Sequence, residues 1–189
     1  MALLPEFTSE GLLPPGDYEL TIKELKESML VRGPRGRRGS RRWNGPWRLQ
    51  LMENLEILVR QLHMVGITEI FADGSFAEDK EHPGDIDGYF ECDESRYLSG
   101  RLERELNAID PHKIWSWASH RRKPFRSYPK PQLPMWHQYR VELFPHYGQP
   151  SGITDNYGNP MPFPSAFRRS RRDGMPRGII KIGVDYDSQ

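Results

Sequence analysis

At 189 residues, with 36% hydrophobic and 11% aromatic side chains, the chain is long enough to bury a real core and has the length of one domain. No apolar run approaches the roughly 20 residues that span a bilayer, the N-terminus lacks the basic-then-apolar pattern of a signal peptide, and the single Cys92 cannot form an internal disulfide, so a cytoplasmic protein with no membrane partner is expected. The net charge of +1 hides segregation: seven arginines and no acid from Arg32 to Met52, thirteen acids against four bases from Glu69 to Asp110, and seven Lys or Arg with no acid from Pro111 to Val141.

In chain order, Met1 to Asp17 is punctuated by Pro and Gly and reads as extended. Thr21 and Glu24 make a capping box and Leu20 and Leu25 a hydrophobic staple, which predicts a helix from Ile22 to about Leu30. Gly33 to Arg42 reads as a flexible loop or a clamp that orders on substrate. Leu51, Leu55, Leu58, Leu62 and Val65 form a helical stripe ending at Gly66, a C-cap residue. Ile67 to Phe71 is the first predicted strand and the run around Ile86 to Phe90 the second. Asp93 caps a predicted helix with Leu98, Leu102, Leu106 and Ile109 inward, stopped by Asp110-Pro111. His112 to Ala118 reads as a further strand. A Pro-rich basic loop then leads to a strand over Gln138 to Pro145, and Gly178 to Ile182 reads as a short edge strand. With no repeat and no boundary, the fold class expected is α/β (α+β), a mixed sheet flanked by helices in one domain. Its core spans about 47–145, wrapped by an N-terminal arm 1–46 and a C-terminal tail 146–189.

The chemistry concentrates between residues 74 and 87. An apolar strand delivers Gly74-Ser75, a polar spacer follows, and Asp85 and Asp87 flank Ile86. The period of two in a strand puts both aspartates on one face. Two carboxylates one pleat apart at the mouth of a sheet suit hard divalent cations, which take oxygen ligands and leave positions for substrate phosphates. The Gly74-Ser75 turn offers backbone N–H groups and a hydroxyl to the same phosphates, because glycine admits close backbone approach. Lys80 in the spacer either neutralises phosphate charge or is a solvated turn lysine, and His82 is a polar turn residue. The plainer alternative for the whole stretch is an acidic β-hairpin with a glycine turn.

Strand, Gly-Ser, a spacer of about ten residues and Asp-x-Asp together resemble the signature of the DNA polymerase beta-like nucleotidyltransferase superfamily. Gly11-Leu12-Leu13-Pro14-Pro15-Gly16, the core motif and Pro176-Arg177-Gly178-Ile179-Ile180 are similar to short bacterial and phage nucleotidyltransferase-like proteins. The resemblance implies a third carboxylate on a later strand. Glu142 is the candidate, in a run with Tyr139, Val141 and Leu143 on one face and Arg140 and Glu142 on the other, although Asp is usual there. It further implies two Mg²⁺ (or Mn²⁺) ions held by Asp85, Asp87 and Glu142. A nucleoside triphosphate would be held at Gly74, Ser75 and Lys80. The acceptor would be an RNA such as a tRNA end, or a protein hydroxyl, and an antitoxin is a possible partner. The arginines interleaved with aromatics, namely Arg37, Arg38, Arg41, Arg42 and Trp43, with Arg121 and Arg122 later, fit phosphate contact plus base stacking. Outside any partner, the same arginines are solvated or pair with the acidic middle.

Overall fold

The computed structural model describes residues 4–36, 42–126, 128–170 and 172–183. A single five-stranded mixed sheet runs in the order β1-β7-β2-β3-β4, built from β1 (Asp17–Thr21), β2 (Ile70–Asp73), β3 (Ile86–Glu91), β4 (Val141–His146) and β7 (Ile179–Gly183). β2 pairs antiparallel with β3 and β7, while β3 with β4 and β1 with β7 are parallel. A separate two-stranded ribbon joins β5 (Pro150–Thr154) to β6 (Pro160–Pro162). The fold is a one-domain α+β architecture. Arm and tail do more than wrap a core, because each contributes a strand to the sheet.

Strand alternation divides the sheet into two unlike faces. Ile70, Ala72, Ile86, Phe90, Val141, Leu143, Ile180 and Ile182 point into the main core. There they meet α1 (Ile22–Glu27), α2 (Met29–Arg32), α3 (Gly45–Met64), α5 (Arg101–Ile109) and α6 (Pro134–Tyr139) through Leu25, Leu30, the Leu51-Leu55-Leu58-Leu62 stripe, Leu102, Leu106 and Met135. The opposite face carries Phe71 and Tyr89, stacked at 4.6 Å between ring centroids, covered by Phe163 and Phe167 of the C-terminal segment. Among the described residues no helix is long and apolar enough to cross a membrane.

Several elements differ from the sequence expectations. The capping box at Thr21 is present, but the helix it starts ends at Ser28, whose hydroxyl caps α2. The strand expected from Ile67 begins at Ile70 as β2, three residues later, after the turn at Gly66 (φ +80°). The helix after Asp93 breaks into α4 (Glu94–Leu98) and α5 at Gly100, which adopts a left-handed φ of +69°, and this turns Leu98 outward to 66% exposure. His112 to Ala118 buries Ile114 and Trp115 without joining a ladder. Residues 138–140 are not strand: α6 ends at Tyr139, and Arg140 turns left-handed (φ +56°) with its guanidinium 3.9 Å over the Trp136 ring. The Gly178 run, expected at an edge, sits inside the sheet between β1 and β2.

Candidate functional site

The register across β2, β3 and β4 builds the site. Asp73 lies opposite Asp87, and Asp87 opposite Glu142, so three carboxylates from three adjacent strands stand in one row on the face away from the helices. The next row along is aromatic, with Phe71, Tyr89 and Phe144 in register. Beyond the acidic row a cleft of about 820 Å³ opens, lined by Gly74, Ser75, Asp85, Asp87 and Glu142, with Arg122, Lys130, Arg172 and Arg177 supplying positive charge. Six sequence-predicted residues thus share one cavity: Gly74, Ser75, Asp85, Asp87, Glu142 and Arg122. Asp85 precedes β3 rather than belonging to it, and its Oδ2 accepts a hydrogen bond from Trp136 Nε1 at 2.7 Å.

Glycine is required at Gly74 twice over. Its φ is +80°, and a Cβ there would lie 2.8 Å from Asp87 Oδ2 and 3.2 Å from the Asp87 nitrogen. The spacer that follows is held by α3. Arg48, fully buried, donates to the carbonyls of Phe76 (2.8 Å), Glu78 (3.2 Å) and Lys80 (2.5 Å), and also to that of Leu30 (2.7 Å). Trp47 Nε1 donates to Pro83 O at 2.6 Å. Burial pulls the Arg48 guanidinium down to about 9, against the pull of Asp79, which leaves it charged at neutral pH.

Protein donors already engage most of the acidic row. Glu142, 6% exposed, accepts from Leu133 N at 2.8 Å and lies 3.5 Å from Arg122 Nη1. Asp73 is ion-paired with Arg177, which also pairs with Glu78, so β2 and the spacer are bound to the segment leading into β7. Burial and the nearby Asp87 and Glu78 carboxylates lift the Asp73 pKa well above the usual range, outweighing Arg177. Asp73 Oδ1 is buried and makes no hydrogen bond. Among the described residues no three His, Cys, Asp or Glu side chains converge into a cation site.

One family's sequence pattern spans residues 5–183, taking in β1, the cleft and β7 alike. The chain belongs to DUF6932, a family of unknown function. No curated protein and no solved structure matches it.

The remaining expected site residues of this DUF6932 chain lie elsewhere. Lys80 is exposed on the spacer and does not line the cleft. Trp43 is 4% exposed, its Nε1 donates to Val31 O at 3.0 Å, and Arg48 packs 3.9 Å from its ring, so it has no face for a base. Trp115 and Trp136 are fully buried, and Trp47 stacks on His82. Arg37, Arg38 and Arg41 lie outside the described residues; Arg42 is exposed. Arg122 reaches the cleft, whereas Arg121 faces a second groove. Sequence reasoning missed Asp73 in the acidic row, and the cationic lining it placed only among basic segments is Lys130, Arg172 and the buried Arg177. The signal for Asp73 was available: it precedes Gly74 and shares strand parity with Phe71, opposite the buried Ile70 and Ala72.

Proposed function

We propose that the chain is a metal-dependent nucleotidyltransferase that moves a nucleoside monophosphate from a nucleoside triphosphate to a hydroxyl acceptor, with RNA as the acceptor class. The observation that carries this reading is the meeting of the Gly74-Ser75 turn with Asp85, Asp87 and Glu142 around one cleft whose other wall is cationic. Carboxylates beside an anionic ligand repel it unless a cation intervenes, and carboxylate oxygens are the donor type that Mg²⁺ or Mn²⁺ takes, although in this structure the three have not converged and would have to draw together to hold an ion. Asp85, Asp87 and Glu142 would hold two such ions, which when bound stabilise charge developing on the transferred phosphate. Gly74 and Ser75 offer backbone N–H groups and a hydroxyl to the β- and γ-phosphates. Arg122, Lys130 and Arg172 offset charge on the leaving pyrophosphate. Glu142, released from Leu133 and Arg122, takes the proton of the acceptor hydroxyl. The hydroxyl oxygen bonds to the α-phosphorus as the bond from that phosphorus to the bridging oxygen breaks.

A second reading, a binding module that retains the fold without turnover, is favoured by the engagement of Glu142 with Leu133 N and Arg122. Incubation with each α-labelled nucleoside triphosphate, Mg²⁺ or Mn²⁺, and separately total RNA or cell lysate, discriminates the two. Label on RNA that disappears in Asp85→Asn, Asp87→Asn and Glu142→Gln, with thermal stability unchanged or higher, supports the transferase. Undiminished labelling in Asp87→Asn refutes the role given to that carboxylate, and no label with any nucleotide favours the binding module.

A further inference from the structure

We infer that a second groove, formed by His112, Lys113, His120, Arg121, Lys123 and His137, binds the phosphodiester backbone of a single-stranded polynucleotide and leads it to the cleft. The groove has a volume of about 590 Å³ and, among the described residues, no acidic residue in its lining. Many basic side chains elsewhere are ion-paired: Arg168 with Asp17, Arg177 with Asp73 and Glu78, Arg96 with Glu105, and Lys26 with Glu56. Among the described residues Lys113, Arg121 and Lys123 are in no ion pair. All three are exposed, on a stretch that carries no acid from Pro111 to Val141. Unpaired positive charge gathered in a concavity raises the local concentration of anions.

Its position says what kind of anion fits. Arg121, which ends the 3₁₀ turn Ser119–Arg121, and Lys123 face the groove, while Arg122 between them reaches the cleft. That segment is pinned by paired backbone hydrogen bonds between Lys123 and Gln132 (2.9 and 2.8 Å). Lys123 lines the groove and Gln132, its backbone partner, lines the cleft, so only this pair of chain segments stands between the two concavities, and a strand lying in the groove would pass over it to reach the cleft. His137 is fixed by donating Nε2–H to Lys123 O at 3.1 Å. A protein partner would require an apolar or aromatic centre to its interface. Here Trp136 and Tyr139 are buried, and among the described residues the apolar part of the lining is Pro134 and the nearly buried Ile114. Cations with no Trp, Tyr or Phe ring in the lining among the described residues suit phosphate contact, which positions a strand without reading its bases. That the bound strand is the acceptor rests on the transferase reading; the binding itself does not.

The test is fluorescence anisotropy of the full chain with a labelled oligouridylate of about twelve nucleotides, in EDTA and without nucleotide. Arg121→Gln/Lys123→Gln should bind at least about tenfold more weakly at low salt. The slope of log affinity against log salt should become shallower by about 1.4, at roughly 0.7 per lost phosphate contact. Lys113→Gln alone should shift the slope by about half as much. All three residues are exposed, so an unchanged melting midpoint certifies the fold. Equal affinity and slope in the double variant overturn the proposal, as does an oligoglutamate of similar length competing as well as the RNA. Groove-dependent RNA binding without transfer under any condition upholds the groove and fails the transferase alone. Wild-type labelling of RNA by the double variant fails the groove alone.

Discussion

Replacing Arg48 with Met removes the clamp that holds the spacer between the glycine turn and Asp85. Four carbonyl acceptors lose a charged donor: Leu30, Phe76, Glu78 and Lys80. At about 1.5–3 kcal/mol for a hydrogen bond to a charged group, the gross loss is about 6–12 kcal/mol. Against it stands relief of burying the charge. The displacement from 12.5 to about 9 corresponds to about 5 kcal/mol. The net, about 1–7 kcal/mol, brackets the 3–5 kcal/mol typical of removing one side of a buried charged network, and we expect a value in that range. At about 2–4 °C per kcal/mol for a chain of this size, melting falls by roughly 10 °C. Urea denaturation reads the stability, and hydrogen exchange over residues 76–81 reads the local effect, which should rise more than in α5. Arg48→Lys should rescue little, because one ammonium cannot reproduce the fork. A change below about 1 kcal/mol in Arg48→Met, or exchange unchanged over the spacer, would refute the clamp.

Arg177→Met should cost about 3–5 kcal/mol by leaving Asp73 buried without its cation. The Asp73 pKa is raised in the folded state, so its contribution is fully present at pH below the unfolded value and is lost as pH rises through the folded one. Removing the cation lifts that pKa further, hence the deficit should widen between about pH 4 and pH 8 in paired urea titrations; an equal deficit at both would count against it. Gly74→Ala should cost about 1–2 kcal/mol for the left-handed backbone plus about 1–3 for crowding Asp87, and weaken nucleotide binding measured by calorimetry. Trp43→Ala should lose about 3–5 kcal/mol of stability while the folded fraction keeps its RNA affinity, the reverse of what a base-stacking ring would do. Cys92, pushed up to about 11 by burial and the Glu91 and Asp93 charges, should alkylate slowly, with only about one thiol in a thousand ionised at pH 8.

Local chemistry made the site's centre readable. The Thr21-Glu24 box, the leucine stripe of α3 and the alternation around Ile86 each depend on neighbours within a few residues, and each recurs in the structure. Glu142 was reachable because its parity against Val141 and Leu143 survives even though the strand begins later than expected. What escaped depends on distant partners. β1 is a strand because Asp17 meets Ile179, and nothing near Asp17 says so. α6 starts with Pro134 inside a stretch that otherwise reads as a proline-rich loop, and Pro at a first helical position looks like a breaker until the rest of the turn is seen. Trp43 among arginines reads the same whether its ring waits for a base or packs on Arg48 of its own chain. Arg177 likewise hides among the C-terminal arginines, its role decided by Asp73, 104 positions away.

The place of β7 sets an order of events for synthesis. Translation delivers β2, β3 and β4 as neighbours able to pair as soon as they emerge, and the acidic row is complete once Glu142 has been made. β1, although made first, has β7 as its sole neighbour in the sheet among the described residues and must wait for Ile179 to Gly183. Until then its backbone groups and the flank of β2 are open edges, the kind of surface that invites pairing with another chain. A nascent or truncated chain lacking Arg177 and β7 would therefore carry the cleft's carboxylates with Asp73 unpaired, and closing the sheet and neutralising the site become a single, late step.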